Sequence, residues 1–223
     1  MIRADWFVPA LAAHAAPLAR ALDVERTIAR PAVALTFDDG PHPDGTPAVL
    51  DALAQAGATA TFFLVGEQVH AHPEVARAVA DAGHEIALHG YRHTLLLRRR
   101  VGPLAADLDR ATAVIEEATG RTPVLYRPPY GVFSSGALAL VRERGLRPLL
   151  WSSWGRDWER RATATSIARR ATRALRPGDV VLLHDSDAYS SADSWRKTAA
   201  ALPSVLDAVA ILGVPASSVT HST

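Results

Sequence analysis

The chain contains no cysteine. That excludes disulfides, thiolate nucleophiles and Cys-ligated zinc. It leaves the compartment open, because a domain with an adequate core does without disulfides even outside the cell. Lysine is almost missing as well: Lys197 is the only one, and arginine carries the basic charge. Acidic and basic residues nearly balance, with a formal charge of +1 at pH 7, so no bulk attraction draws the chain to nucleic acid or an anionic membrane. The one basic run, Arg98-Arg99-Arg100, reads as a solvated loop rather than a polyanion site. No apolar run approaches the ~18 residues of a membrane-spanning helix. Neither GxGxxG nor a Walker A loop occurs, which argues against nucleotide binding. No GxSxG elbow is found, which argues against a serine nucleophile, and no repeat of fixed period suggests a solenoid.

What remains is an ordinary globular composition, 48% apolar and 21% charged over 223 residues. A chain of this size can bury roughly 70–75% of its unfolded surface. Residues 1–30 read as an N-terminal arm. It weakly imitates a secretory signal, with Arg3 before the apolar stretch from Trp6 to Ala13, but Asp5 and Pro9 interrupt it. A helical arm packed on the domain, or the stub of a longer membrane-proximal segment, is the better reading, and localisation stays open.

Residues 31–223 alternate between strand-like and helix-like segments. Strands are expected over Ala32–Phe37, Thr59–Val65, Glu85–Leu88, Val124–Tyr126, Arg147–Trp151 and Asp179–Leu183. Helices are expected from Thr46, as an N-cap followed by Pro47, and over Pro73–Ala82, Pro103–Thr119, Ser135–Arg144 and Thr165–Leu175. A last helix, Trp195–Leu212, contains Pro203 as an expected kink or break. The tail allows at most one short strand. This alternation predicts an α/β fold with a parallel sheet of six or seven strands, closed or partly closed as a barrel.

The unusual polar residues fall just beyond the expected strand ends, where parallel α/β barrels build their sites. Asp38, Asp39 and His42 follow the first strand, and His89 and His93 the third. Arg127 and Tyr130 follow the fourth, Asp157 and Trp158 come soon after the fifth, and His184, Asp185 and Asp187 follow the sixth. Histidines at i and i+4 present both imidazoles on one side of a helical turn, a metal-ligand spacing. Asp38 or Asp39 can supply a third ligand; spacing alone does not choose between them. Two histidines and one carboxylate with an open position suit a catalytic zinc, and these donors also accept other divalent transition metals. Adjacent strand residues point to opposite faces, so the two acids are expected to do different jobs. His14, His70, His72, His84 and His221 have no such partners and read as surface or structural.

Five motifs stand in order along the chain. They are Thr36-Phe37-Asp38-Asp39-Gly40-Pro41-His42, His89-x-x-x-His93, Arg127-Pro128-Pro129-Tyr130-Gly131, Asp157-Trp158, and the apolar run that ends in Leu182-Leu183-His184-Asp185. Each motif alone is moderately specific; the ordered set resembles the polysaccharide deacetylases, a carbohydrate esterase family typified by nodulation-factor and chitin deacetylases. The resemblance runs from about Ala32 to Asp185 and more weakly to Leu206. It implies a distorted, incomplete (β/α) barrel of about seven parallel strands, with residues 31–223 as the catalytic domain. It implies a metal-dependent hydrolase that removes acetyl groups from N-acetylated or O-acetylated glycans. Asp39, His89 and His93 are then the metal ligands. The ion is expected to be Zn²⁺, with Co²⁺, Ni²⁺ or Mn²⁺ as substitutes. Asp38 is the general base for a metal-activated water, and His184 the acid for the leaving amine. Arg127 orients Asp38, and Asp157 tunes His184. The Tyr130 backbone N–H is the oxyanion donor, and Leu182 and Trp158 wall the acetyl pocket. The partner is an acetylated glycan, the chain is expected to be a monomer, and no nucleic acid is involved.

Two positions depart from the family pattern. Gly90 stands where Ser or Thr is usual, and Trp154 replaces the first Asp of Asp-x-x-Asp-Trp. Loss of a supporting hydroxyl beside a metal ligand can cost roughly 10–100-fold in affinity or activity. Trp154 suits either a sugar-stacking platform or core packing. Two other readings stand beside the deacetylase: a catalytically silent glycan-binding module, and a hydrolase of a non-sugar C–N bond on the same scaffold.

Overall fold

The computed structural model describes residues 15–98 and 100–220. The signal-like stretch, His14, His221 and the middle of the Arg98–Arg100 run lie outside the described residues; Arg100 is exposed. Among the described residues, eight strands and eight α-helices follow in chain order. They are α1 (Ala16–Ala21), β1 (Val33–Asp38), α2 (Gly45–Gln55), β2 (Thr61–Leu64), α3 (Gly66–Ala71), α4 (Pro73–Asp81), β3 (Glu85–Leu88) and α5 (Val101–Thr119). Then come β4 (Leu125–Tyr126), α6 (Ser135–Glu143), β5 (Arg147–Pro148), β6 (Ser153–Trp154), α7 (Ala164–Thr172), β7 (Val180–His184), α8 (Ser194–Ile211) and β8 (Ala216–Ser217).

The strands pair in the order β5-β4-β3-β2-β1-β7-β6, all in parallel, and β8 adds to the start of β1. Seven parallel strands thus curl into a half-barrel, the incomplete (β/α) barrel that the resemblance implies. β1 lies at the centre with every residue buried, which is why its sequence is an apolar run rather than an alternating one. The helices cover the outside. α4 buries Val75, Ala76, Val79 and Ala80, and α5 buries Leu104, Leu108, Ala111 and Ile115 along one stripe. Gly120, at φ 68°, ends α5 in the left-handed conformation that glycine adopts without a Cβ clash. β5 and β6 are the two edges. Residues 24–28 run across the gap between them: Glu25 bridges to Leu149, Thr27 bridges to Asp179, and Arg26 Nε donates to the Trp151 carbonyl at 2.8 Å.

Four local expectations change. Thr46 does not cap α2; the helix begins two residues earlier, at Gly45 after Asp44, without a side-chain cap. The Thr46 hydroxyl instead accepts the His42 N–H at 2.8 Å and donates to Asp185 at 2.5 Å, tying two loops together. The strand expected over Arg147–Trp151 shortens to β5, and a further strand, β6, forms beyond that span on the opposite edge, after the chain has crossed the open side of the barrel. α3 is unforeseen: residues 66–71 are too short a segment to show helical periodicity. Finally, α8 continues unbroken through Pro203.

Candidate active site

Strand register assembles the site. In the β1–β7 ladder Thr36 lies beside Leu182 and Asp38 beside His184. In the β6–β7 ladder Trp154 lies beside Leu182. Residues two apart share a face, so Thr36, Asp38, Leu182, His184 and Trp154 all face the barrel interior. On the other side of β1, the ladders through β2 and β3 place Leu88 beside Tyr126. His89 and Arg127 therefore leave their strands together. They converge on a cavity of about 290 Å³ lined by Asp38, Asp39, His89, His93, Tyr130, Trp154, Trp158, Leu182 and His184, with Trp151, Gly131, Tyr189 and Ser190.

Asp38 and Asp39 do not point to opposite faces. Asp39 lies past the strand with φ 77°, a left-handed turn that swings its carboxylate back into the cavity. His89 Nε2 is consequently 3.8 Å from Asp38 Oδ2 and 3.4 Å from Asp39 Oδ1. His93 Nε2 is 3.3 Å from the same Asp39 oxygen. The ligand atoms of Asp39, His89 and His93 all lie within 4.8 Å of one another. Asp39 Oδ1 is buried and accepts no hydrogen bond among the described residues, and a buried anionic oxygen between two imidazole nitrogens suits a cation. His89 Nδ1 is 2.8 Å from the Arg127 carbonyl, so it carries the proton and leaves the Nε2 lone pair facing Asp39. These three residues fit a divalent metal by donor type, by convergence and by the orphaned oxygen. Burial pushes the Asp39 carboxyl up, but the neighbouring imidazoles, His89 in contact and His184 charged, outweigh burial and hold it at about 2. Burial also brings His93 down to about 4, against the pull of Asp39, which keeps its imidazole neutral and able to ligate.

Asp38 is oriented from below. Arg127 is fully buried, and its Nη1 donates to Asp38 Oδ1 at 2.6 Å and to the Thr36 hydroxyl at 2.9 Å. Its Nη2 donates to the Leu150 carbonyl at 3.0 Å, and its guanidinium lies 4.0 Å from the Phe63 ring centroid. Burial lowers the Arg127 pKa, and Asp38 offsets part of that. A buried cation with its donors placed this way holds Asp38 in one rotamer.

On the opposite wall His184 Nδ1 lies 2.9 Å from Asp157 Oδ1. Asp157 Oδ2 accepts the His184 backbone N–H at 2.7 Å and the Thr198 hydroxyl at 2.8 Å. Burial would lower the His184 pKa, yet the Asp157 charge and hydrogen bond, followed by Asp39 and Asp38, raise it to about 10. Trp158 meets the His184 ring edge-on at 5.3 Å. Trp154 lines the cavity and packs between Trp151 and Trp158, at 5.6 and 5.5 Å. Tyr130 stands exposed at the rim, 4.6 Å from the His93 ring and in the left-handed region at φ 63°.

Three residues from the same strand ends, His42, Asp185 and Asp187, do not line the cavity. His42 Nδ1 accepts the N–H groups of Asp44 and Gly45 at 3.1 and 2.9 Å, and its Nε2 meets Asp187 at 3.3 Å. It shapes the entry to α2. Asp185 lies buried behind the Asp38–Asp39 turn, where burial raises its carboxyl to about 7. A Cβ on Gly40 would run into that carboxylate, so only glycine lets the turn pass so close. Sequence reasoning missed Thr198, Trp151 and Tyr189. Of these only Trp151 left a signal, in the Trp151, Trp154, Trp158 spacing.

The polysaccharide deacetylase family model matches residues 25–149. A chitooligosaccharide deacetylase of Azorhizobium caulinodans is 38% identical over 162 residues, covering 72% of this chain and 77% of that protein. A peptidoglycan-N-acetylglucosamine deacetylase of Bacillus cereus is 36% identical over 177 residues, covering 78% of this chain and 79% of that protein. Among solved structures, the Bc1960 peptidoglycan N-acetylglucosamine deacetylase superposes with a TM-score of 0.81 at 27% identity, over 88% of this chain and 90% of that one.

Proposed function

The chain belongs to the polysaccharide deacetylase family and is an enzyme of it, and we propose that it hydrolyses the acetamide of N-acetylglucosamine units in chitooligosaccharide- or peptidoglycan-type glycans, with a divalent metal held by Asp39, His89 and His93. The observation that carries this reading is the orphaned Asp39 Oδ1 between two imidazole nitrogens, with a tethered carboxylate on one side and a charged imidazole on the other. The names of the relatives favour glycan over a non-sugar amide. A silent binding module is set aside because these relatives are deacetylases.

An amide is a poor electrophile and an amine a poor leaving group. The metal, when bound, supplies Lewis acidity toward water and the acetyl carbonyl; Zn²⁺ suits the donor set, and Co²⁺, Ni²⁺ or Mn²⁺ can replace it. Asp38, fixed by Arg127, takes the proton of the attacking water as its oxygen adds to the carbonyl carbon. The Tyr130 backbone N–H donates to the oxygen on which negative charge develops. His184, held by Asp157 through Nδ1, gives its Nε2 proton to the nitrogen as the C–N bond breaks, releasing acetate and a free amine. Leu182 and Trp158 enclose the acetyl methyl, and Trp154 offers a face to a sugar ring. The test is acetate release from N-acetylglucosamine oligomers and peptidoglycan fragments by Zn²⁺- or Co²⁺-loaded protein, with Asp38→Asn as control. Absence of metal-dependent release from every acetylated glycan tried would overturn the proposal.

A further inference from the structure

We propose that Tyr189 is a positioning residue for His93, fixing the orientation of that imidazole through ring stacking and a tether to α3. The inference rests on the metal reading above and assigns the means by which one ligand is held.

The two histidines are supported differently. His89 has its Nδ1 proton fixed on the Arg127 carbonyl at 2.8 Å. His93 Nδ1 is buried and makes no hydrogen bond among the described residues. A metal-ligating imidazole is ordinarily oriented through its second ring nitrogen, and His93 lacks that support. Gly90, at φ 90° in the same loop, has no side chain to offer it.

Ring contacts take that place. The Tyr189 ring lies nearly parallel to the His93 imidazole, with centroids 4.3 Å apart and 12° between planes. Tyr130 closes the arrangement edge-on at 4.6 Å. The Tyr189 hydroxyl is tied at its far end: it donates to Glu67 Oε1 at 2.6 Å and accepts from Gln68 Nε2 at 3.1 Å. Both partners belong to the first turn of α3. The backbone of that turn grips the histidine loop, Gly66 N–H donating to the Gly90 carbonyl and Glu67 N–H to the Tyr91 carbonyl, each at 2.9 Å. Asp107, from α5, accepts the Tyr91 N–H at 2.8 Å. One helical turn thus holds the loop by its backbone and holds, by its side chains, the ring that stacks on the ligand. A stack constrains the plane of the imidazole while leaving Nε2 free to face Asp39, which a ligand needs.

The experiment measures Co²⁺ and Zn²⁺ affinity by competition with a chromophoric chelator, and the visible spectrum of the Co²⁺ protein, for wild type, Tyr189→Ala, Tyr189→Phe and Glu67→Ala. Tyr189→Ala removes stack and tether and is expected to weaken metal binding roughly 10–100-fold, as loss of ligand support does, with a changed Co²⁺ spectrum. Tyr189→Phe and Glu67→Ala keep the ring but free it, and are expected to show a smaller loss of the same sign. If Tyr189→Ala does not fold, Tyr189→Phe, which removes one oxygen atom, carries the test. Wild-type affinity and spectrum in the folded Tyr189 variants overturn this inference alone. A wild type that binds neither ion overturns the metal reading and this inference with it.

Discussion

Asp157→Asn isolates the contribution of one buried charge to the chemistry. Asp157 is fully buried and accepts from the His184 ring, the His184 backbone and the Thr198 hydroxyl at 2.9, 2.7 and 2.8 Å. Burial lowers the His184 pKa, yet Asp157, ahead of Asp39 and Asp38, raises it from 6.5 to about 10. At about 1.4 kcal/mol per pH unit, that rise is of order 5 kcal/mol. Asparagine keeps the shape. Its oxygen can still serve the backbone N–H and Thr198, but its NH₂ then faces His184 Nδ1, which must become an acceptor. The imidazole is left neutral at working pH and is a far weaker proton donor. The wild-type kcat is expected to hold well above the ordinary histidine range, because the Asp157 charge and hydrogen bond keep His184 protonated there. In Asp157→Asn that alkaline limb is expected to move down by several units, and kcat at mildly alkaline pH to fall by roughly 10²–10⁴-fold.

Stability supplies an independent readout with a fixed sign. A raised His184 pKa stabilises the fold fully below the unfolded value near 6.5 and loses that contribution as pH rises through about 10. Urea unfolding should therefore show the largest deficit of the variant at or below neutral pH and a smaller one above about pH 10. The assays are acetate release and urea titration, each as a function of pH. An alkaline limb that stays at its wild-type position in Asp157→Asn would refute the coupling of Asp157 to His184.

Asp38→Asn should retain bound metal, because Asp39, His89 and His93 are untouched, while acetate release falls by roughly 10²–10⁴-fold; metal content measured alongside turnover separates the two effects. Treatment with a chelator should abolish acetate release and added Zn²⁺ or Co²⁺ restore it; release that survives complete metal removal contradicts the role given to the three ligands. Trp154→Ala should raise KM for oligosaccharides about 3–10-fold, the scale of one lost aromatic contact, with a smaller change in kcat; an unchanged KM assigns Trp154 to packing alone. Gly45→Ala should destabilise the fold by about 1–3 kcal/mol or more, since the added Cβ would run into the Asp185 backbone oxygen and lie 2.9 Å from Trp195 Cβ; an unshifted urea midpoint counts against that close packing.

Much of this site is legible in the sequence because a parallel sheet turns sequence position into spatial position. Asp38 and His184 are distant along the chain, yet each closes an apolar run, and parallel pairing sets the two runs side by side in register. The same logic carries His89 and Arg127, which directly follow the paired residues Leu88 and Tyr126. A residue that terminates a buried strand needs no tertiary information to be assigned to one end of the barrel. The ordered motifs then distinguish Asp39 from Asp38, which alternation along the strand could not do: alternation assumes extended backbone, and Asp39 turns at φ 77°.

What was illegible lies where no period operates. Tyr189 sits in a polar stretch between β7 and α8, surrounded by Ser and Asp with no apolar rhythm, and its significance depends on a stack with a residue from another loop. Thr198 is one of several buried positions on α8, and only its hydroxyl on Asp157 separates it from ordinary core packing. Thr46 shows the same limit from the other direction. Its sequence context is that of a helix cap, but the His42 N–H and the Asp185 carboxylate compete for the hydroxyl, and these cross-loop bonds prevail. Residues fixed by the strands could therefore be named from the chain, whereas Tyr189 and Thr198, whose roles rest on contacts between separate elements, had to wait for those elements to be placed. The two departures divide along the same line. Trp154 occupies a strand position whose inward direction follows from its register with Leu182. Gly90 occupies a loop position, and the lack of a side chain there acquires meaning only once His93 Nδ1 is found buried without a hydrogen-bond partner among the described residues.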